Sequence, residues 1–344
     1  MVDHRSQVKL DQLDTVLGRD VATRHTSTGF EAIRFTHNAL PELDFGCIDL
    51  SSIFLGRQCN APLLISSMTG GPRRAEAINA TLAEVAQSLR IALAVGSQRI
   101  ALETTNAAGF NKDLRRRAPD VPILANIGAA QLHDWSGVDY LRRAVDMIDA
   151  DALIIHLNPL QEVLQDNGDR NWKGILDRIE EAVVALPCPI VVKEIGCGIS
   201  ASVALKLNAV GVQIIDVAGV GGTSWAAVVA ESASTQRARN IAETFRDWGI
   251  PTAQAIRDVR SALPDICLIA SGGMRNGLDA AKALRLGADM VGFAGSILEQ
   301  TLEGRQNLYA KFEAIIDELR IAAFCTGSQN LASLRTAPIV GGAL

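Results

Sequence analysis

Short runs of apolar residues alternate along this chain with segments whose apolar residues recur at helical spacing. Runs of four or five apolar residues are typical of strands that are buried on both faces of a parallel sheet. The predicted strands are Leu63–Ser66, Ala92–Val95, Ile123–Ile127, Ala152–Ile155, Ile190–Lys193, Val212–Asp216, Cys267–Ser271 and Met290–Phe293. The predicted helices between them include Arg74–Gln87, Leu141–Ile148, Trp172–Ala185 and Leu278–Leu286.

This alternation predicts an α/β fold, and eight strands favour a (β/α)8 TIM barrel. An open doubly wound sheet would show the same alternation, but no G-x-G-x-x-G follows the first strand. We expect one domain over residues 1–344, with residues 1–60 forming an N-terminal arm and the floor of the barrel. Residues from Leu319 to Leu344 are expected to form a last helix and a tail.

Composition and charge indicate a globular protein and argue against several kinds of partner. The chain is 48% hydrophobic and 21% charged, so it can bury a large core. Its 33 basic and 38 acidic residues are mixed along the sequence, which argues against a nucleic-acid surface. Six cysteines without a C-x-x-C pair indicate free thiols. With no apolar leader in Met1–Lys9 and no apolar stretch of membrane-spanning length, we expect a cytoplasmic protein without a membrane partner.

The segments that follow the predicted strands are polar and rich in glycine, and barrel enzymes place their active sites at these strand ends. Ser271–Arg275 and Ala294–Ser296 follow the seventh and eighth strands, where barrels commonly bind a phosphate group. Glycine lets backbone N–H groups approach phosphate, and the following helix N-terminus and Arg275 would add favourable charge. Either loop alone could be a simple turn, but the two together predict a phosphate cradle.

Lys193 ends an otherwise apolar strand, so its ammonium group is expected to point into the barrel mouth. A buried lysine needs a partner, and the anionic N1/O2 edge of a reduced flavin would supply one. A Schiff-base lysine, or an ion pair with Glu194 or Asp216, would also explain the position.

A polar cluster follows the fourth strand. His156 and Asn158 alternate there, so both side chains could face the mouth, and Gln161 and Glu162 come next. Glu162 could hold Mg²⁺ against a diphosphate, because Mg²⁺ prefers one or two carboxylates plus substrate oxygens. An exposed glutamate at a helix start would look the same in sequence.

Four segments together resemble the type 2 isopentenyl diphosphate isomerases. They are Ser66–Gly71, His156–Glu162, Lys193–Ser200 and Gly221–Trp225, and the resemblance extends from about Thr28 to Ala294. The combination is specific, whereas the glycine loops alone would fit any flavin mononucleotide (FMN) barrel, including hydroxy-acid oxidases and glutamate synthase.

The resemblance implies an enzyme that interconverts isopentenyl and dimethylallyl diphosphate with reduced FMN. It implies a requirement for Mg²⁺, reduction of the flavin by NADPH, no net redox change, and a homo-oligomer such as a tetramer or octamer. Gln161 would be the catalytic side chain, either carrying a proton or positioning the substrate. Implied FMN contacts are Ser67, Met68, Thr69, Ser97, Asn126, Lys193, Ser200, Thr223, Gly272, Gly273, Arg275, Ala294 and Gly295. Implied substrate contacts are Arg5, Lys9, Arg99, His156, Asn158, Gln161 and Trp225, with Glu162 on the metal.

The sequence departs from the family pattern near its N-terminus. The family usually shows Arg-Lys, two further residues and then His, but here Arg5 is followed by Ser6 and the histidine position is Lys9. Lys9 is expected to restore the lost charge. Asp166-Asn167-Gly168-Asp169 replaces the usual Pro-Glu-Gly-Asp, and Val229 stands where an acidic residue is expected. These changes concern the substrate site and leave the flavin motifs intact.

Three other functions would each require a feature that distinguishes it from an isomerase. A flavin-dependent hydroxy-acid oxidase or dehydrogenase would need a His-Gly-x-Arg motif, which the sequence lacks. An IMP-dehydrogenase-like enzyme would need a nucleophilic cysteine, and Cys197 has no histidine near it in sequence. A barrel that only binds a phosphorylated ligand would be colourless when purified.

Overall fold

The computed structural model describes residues 14–68, 74–103, 110–133 and 138–340. A hairpin of strands β1 (Ser52–Phe54) and β2 (Arg57–Cys59) precedes eight parallel strands that close into a barrel. The barrel strands are β3 (Leu63–Ile65), β4 (Ala92–Ala94), β5 (Ile123–Gly128), β6 (Ala152–Leu157), β7 (Ile190–Glu194), β8 (Ile214–Asp216), β9 (Cys267–Ala270) and β10 (Met290–Phe293). Strand β10 pairs with β3 to close the ring, so the predicted (β/α)8 barrel is confirmed.

Helices occupy the segments between the strands and the C-terminal region. They are α1 (Arg74–Leu89), α2 (Arg99–Glu103), α3 (Asp113–Arg117), α4 (Asp139–Ile148), α5 (Pro159–Leu164), α6 (Ile175–Ala185), α7 (Ala201–Ala209), α8 (Trp225–Glu231), α9 (Gln236–Thr244), α10 (Thr252–Ala262), α11 (Gly277–Arg285), α12 (Leu298–Glu303), α13 (Arg305–Cys325) and α14 (Leu331–Arg335). Short 3₁₀ helices cover Phe30–Ala32, Phe45–Cys47, Ala129–His133 and Gly295–Ile297.

Several element boundaries differ from the prediction by one or more residues, and three of these differences have clear local reasons. Helix α6 begins after Gly174, not at Trp172, because Gly174 has φ +79° and cannot continue a helix. Strand β8 begins two residues late, since the Val212 amide donates to Leu207 O and closes the end of α7. The C-terminal helix begins at Arg305, directly after Gly304 with φ +116°, well before the predicted Leu319.

The strands divide their apolar side chains between two layers. Alternate residues such as Leu64, Ala92 and Ile154 point into the barrel, while Leu63, Ile65 and their counterparts pack under the helices. Apart from the polar residues towards their carboxyl ends, the strands are therefore apolar on both faces, which explains why they appear in sequence as apolar runs.

The hairpin lies below the barrel. Phe54 and Cys59 are buried in the same apolar cluster as the inward-facing strand residues, and the chain enters β3 at its N-terminal end directly afterwards. The end of the barrel opposite the carboxyl ends of the strands is thus filled by side chains of the arm.

Among the helices of the described ranges, none combines the length and the apolar character that a membrane crossing requires.

Candidate active site

A cavity of about 620 Å³ opens at the carboxyl ends of the barrel strands. Loops from all around the barrel contribute to its lining, so residues far apart in sequence meet there. The predicted site residues that line it are Ser67, Met68, Ser97, Asn126, His156, Gln161, Lys193, Thr223, Trp225, Gly272, Gly273, Arg275, Ala294 and Gly295.

The remaining predicted residues fall into two groups. Arg5, Lys9 and Thr69 lie outside the described residues. Arg99, Asn158, Glu162 and Ser200 are described but are not part of the lining. The Ser200 hydroxyl caps helix α7 by accepting from Val203 N at 3.3 Å, so its contact with FMN stays a prediction.

The orientation of His156 is fixed from the neighbouring strand. Its Nδ1 lies 2.7 Å from Asn126 Oδ1, and the Asn126 amide nitrogen donates to Val95 O at 3.1 Å. Because Asn126 donates through its nitrogen, its oxygen must accept, which places the His156 proton on Nδ1. Gln98 supports the strand end by accepting from the Asn126 backbone N–H at 2.9 Å.

His156, Lys193 and Asp216 form one row across β6, β7 and β8. Lys193 is 7% exposed and Asp216 is fully buried. Burial raises the pKa of Asp216, and the nearby Lys193 ammonium opposes that rise. Ser271 donates to Asp216 Oδ1 at 2.6 Å, while Asp216 Oδ2 has no hydrogen-bond partner within the described part of the chain. A cation that lies at the cavity and is compensated from behind by a buried carboxylate can serve an anionic ligand.

Glu194 shapes the loop after β7. The Lys193 ammonium donates to the backbone oxygen of Glu194 at 2.6 Å, not to its carboxylate. That carboxylate accepts from the backbone N–H groups of Ile195 and Gly196, both at 2.6 Å, and from that of Cys197. Burial raises the pKa of Glu194 to about 7, although these hydrogen bonds oppose the rise.

The glycine loop after β9 adopts a backbone that only glycine allows. Gly272 and Gly273 have φ +99° and +70°, and a Cβ on Gly272 would lie 2.1 Å from Gly219 O. Thr252 anchors the loop by donating from Oγ1 to Gly272 O at 2.7 Å. The loop therefore offers a rigid backbone surface to the cavity, as a phosphate cradle requires.

Helix α11 contributes less than the sequence indicated. The Gly277 N–H donates to Glu318 at 2.6 Å, and the Asp279 N–H donates to the capping side chain of Asn276 at 2.8 Å. These first-turn groups are already used, so a phosphate would meet the loop backbone and feel only the dipole of the helix. Arg275 is exposed and donates to Gly221 O at 3.3 Å.

Several buried hydroxyl groups at the cavity have no partner among the described residues. They are the Oγ atoms of Ser66, Ser67 and Ser296, all three in lining residues. Buried polar atoms without partners are costly unless a ligand satisfies them. A polar ligand such as FMN, with its ribityl and phosphate oxygens, fits this donor set.

A second polar network lies beside the cavity. Asn158 donates to Glu162 Oε1 at 2.8 Å and to Gln161 Oε1 at 3.1 Å, and the Asp169 backbone N–H donates to Glu162 Oε2 at 2.8 Å. Arg99 is paired with Glu103 at 2.9 Å and with Asp169 at 3.3 Å. The four predicted residues of this network are thus already positioned relative to one another. Among the described residues, no group of three or more His, Cys, Asp or Glu side chains is arranged to hold a metal ion.

Sequence reasoning missed one wall of the cavity, which comes from the N-terminal arm. Its lining residues are Val16, Arg19, Asp20, Val21 and Ala22. Ala22 forms an antiparallel bridge with Thr223. No motif marks this segment, because its role depends on a contact between positions about two hundred residues apart.

Trp225 lies between the cavity and a small apolar cluster. It lines the cavity, and it also packs against the buried cluster of Val21, Ala227 and Val228. The cavity therefore has an apolar wall beside its polar groups.

The family model of FMN-dependent dehydrogenase matches residues 155–340, so this (β/α)8 barrel belongs to the class of FMN-dependent barrel enzymes. Curated relatives specify the family. An isopentenyl-diphosphate delta-isomerase of Pseudescherichia vulneris is 57% identical over 97% of this chain and 96% of the relative, and that of Xanthobacter autotrophicus is 55% identical over 96% of each. The chain belongs to the isopentenyl-diphosphate delta-isomerase family, in its type 2, FMN-dependent form.

Solved structures support the fold alone. A mandelate oxidase mutant with an FMN adduct aligns with a TM-score of 0.67 at 14% identity, covering 96% of this chain and 95% of that one. A lactate oxidase of Pediococcus acidilactici aligns with a TM-score of 0.68 at 14% identity, covering 99% and 93%.

Proposed function

We propose that this chain interconverts isopentenyl and dimethylallyl diphosphate in the described cavity, with reduced FMN as its cofactor. The observation that carries the proposal is one cavity that joins a glycine cradle, the Lys193 ammonium group and an apolar wall at Trp225. A phosphorylated flavin and a prenyl diphosphate both combine an anionic end with a flat or apolar part, and such a lining complements both.

The cradle and the row of strand-end residues would hold FMN. Gly272, Gly273 and Gly295 would face its phosphate, Ser66 and Ser67 its polar chain, and Lys193 the anionic edge of the reduced ring. When bound, reduced FMN supplies an electron-rich ring with an exchangeable proton, which suits the protonation of an unactivated alkene. The role of the protein is to orient the alkene and to exclude water from the site.

His156, Asn158, Gln161 and Arg99 would contact the substrate, and Gln161 would be the catalytic side chain. Because Asn158 fixes the Gln161 amide oxygen, the Gln161 amide nitrogen is the group that can reach a substrate. Each Glu162 oxygen accepts one hydrogen bond and keeps a further lone pair, so Glu162 would hold Mg²⁺ together with diphosphate oxygens.

The remaining proposals rest on the sequence and on the family. NADPH would reduce the flavin without being consumed in each turnover, and the chain would work in the cytoplasm as a homo-oligomer, a tetramer or an octamer. Light scattering of the purified protein would measure its oligomeric state. We also propose that residues 1–344 form one domain, because Phe54 and Cys59 of the arm share the barrel core.

The test begins with a visible spectrum of the purified protein. Anaerobic incubation with FMN, NADPH, Mg²⁺ and isopentenyl diphosphate should then give dimethylallyl diphosphate by NMR, with NADPH used only once per flavin. Omission of Mg²⁺ should abolish the conversion. Bound FMN without product would contradict the substrate assignment and direct attention to the altered arm at Ser6 and Lys9.

A further inference from the structure

The N-terminal arm is fastened to the turn that follows helix α9. Arg246 in this turn is 5% exposed, and its guanidinium group donates to Asp20 O and Ala22 O, both at 3.0 Å. Asp247 Oδ1 accepts from three consecutive backbone N–H groups, those of Arg24, His25 and Thr26, at 2.8–3.2 Å. We name Arg246 and Asp247 the arm latch.

The latch acts on the part of the arm that lines the cavity. The two carbonyl groups held by Arg246 belong to the residues on either side of Val21. Val21 is buried against Ala227 and Val228, beside Trp225, and it lines the cavity. The latch therefore fixes the apolar wall opposite the polar strand ends.

Arg246 is itself held rigidly. It forms two hydrogen bonds with the Glu243 carboxylate, at 2.8 and 2.7 Å, so four of its donors are used in a nearly buried position. A buried guanidinium group is tolerated only when its donors are satisfied, and a planar bidentate pair restricts its geometry.

The cofactor side of the cavity has separate supports. The Gly272 loop is anchored by Thr252, and the Glu194 carboxylate holds residues 195–197. Neither support involves Arg246 or Asp247. Of the predicted FMN contacts, Thr223 pairs with the arm at Ala22, so loosening the arm should disturb that contact but leave the Gly272 loop and residues 195–197 in place.

We propose that Arg246 and Asp247 are positioning residues that set the affinity for the prenyl diphosphate by holding the arm as a preformed wall of its pocket. This inference rests on the proposed function. Without the latch, the arm would become ordered only when the substrate binds. The conformational entropy lost in ordering the arm would weaken binding, so KM would be higher while kcat would change little.

The experiment compares Arg246→Met and Asp247→Ala in the holoenzyme, with Arg115→Met as the matched control. The Arg115 side chain is also nearly buried, at 12% exposed, and it pairs with Asp151 at 2.6 Å and donates to backbone carbonyl groups, including those of Ala118 and Val121. It lies on α3 and is not among the described residues that line the cavity. Loss of hydrogen bonds to a charged group should raise KM for isopentenyl diphosphate by about tenfold or more, with kcat and the Kd for FMN within about twofold. Trypsin cleavage after Arg19 and Arg24 should become faster in both latch variants and remain unchanged in the control.

Other results would overturn the proposal. An unchanged KM with faster cleavage would show that arm order does not matter for the substrate, and an equal loss of FMN affinity would assign the latch to the cofactor. If Arg246→Met does not fold, the KM and the trypsin cleavage rate of Asp247→Ala alone test the proposal. If the native enzyme converts no isopentenyl diphosphate, the proposed function fails, and the Kd for isopentenyl diphosphate with Mg²⁺, measured by calorimetry, replaces KM. Weaker binding by the two variants then supports the latch, and unchanged binding refutes it.

Discussion

At the scale of single residues, the site depends on ionisable groups buried at the ends of β7 and β8. Lys193, Glu194 and Asp216 are all less than one tenth exposed. Burial disfavours the charged form of each, so the arrangement persists only through mutual compensation and hydrogen bonds. Two predictions follow from the charges of these residues.

Lys193→Met should separate the role of the lysine in stability from its role in FMN binding. Removing the cation leaves Asp216 buried without compensation, which should cost about 3 kcal/mol in the free energy of unfolding. The Kd for FMN should rise about tenfold or more, whereas exposed Lys206→Met should change neither quantity. In the double variant Lys193→Met/Asp216→Asn, stability should recover and FMN affinity should not. Urea unfolding and flavin fluorescence titration measure the two effects, and an unchanged Kd for Lys193→Met would contradict the assignment.

Glu194 should make stability depend on pH. Burial raises its pKa from 4.5 to about 7, so between these values the folded chain keeps a proton that the unfolded chain has lost. The stability that this bound proton contributes is therefore fully present below pH 4.5 and is lost as the pH rises through about 7. Each unit of pKa difference corresponds to about 1.4 kcal/mol of that stability. The free energy of unfolding of the native chain relative to Glu194→Gln should fall by about 3 kcal/mol across this range. Exposed Glu180→Gln is the control. The free energy of unfolding of the native chain relative to this variant should not change comparably over the same pH range.

At the scale of elements, the loops after the strands decide which ligand the barrel takes. The apolar runs gave the strands to within two residues, because a strand buried on both faces leaves no polar interruption. The glycine spacing identified the Gly272 loop, because few residues can take a positive φ. The use of the first-turn N–H groups of α11 was not predictable, since Glu318 lies forty-one residues after Gly277.

Gly272→Ala tests the cradle. An added Cβ would lie 2.1 Å from Gly219 O, so the loop must move, and FMN affinity should fall about tenfold or more. Gly304→Ala is the matched control, because Gly304 also has a positive φ, +116°, but nothing lies within 4 Å of the added atom. It should lose about 1–3 kcal/mol of stability, because φ +116° with ψ −179° is a backbone region that essentially only glycine occupies, and it should keep its FMN affinity. Equal Kd values for the two variants would show that the loop does not contact the flavin.

At the scale of the whole molecule, the barrel separates stability from chemistry. The hairpin fills one end and the cavity opens at the other, with the apolar interior between them. Changes at the floor should therefore alter folding without altering the ligand site.

Phe54→Ala tests this separation. Phe54 is 3% exposed, and its loss should cost about 3–5 kcal/mol in the free energy of unfolding. Its neighbour Ile53 is 80% exposed, so Ile53→Ala should stay within about 0.5 kcal/mol of the native value. Both variants should bind FMN with the native Kd in a fluorescence titration at low denaturant. A weaker Kd for Phe54→Ala alone would show that floor and mouth are coupled.

The sequence by itself determined the barrel and the position of the mouth, because strand periodicity and glycine-rich strand ends are local properties, and its resemblance to a known family supplied many of the residues that line the mouth. The tertiary structure decided which side chains compensate the buried charges, and it brought the arm to Thr223 and Arg246. Those contacts join residues about two hundred positions apart, and no local pattern specifies such a pairing, because it arises only when the barrel brings the two segments together.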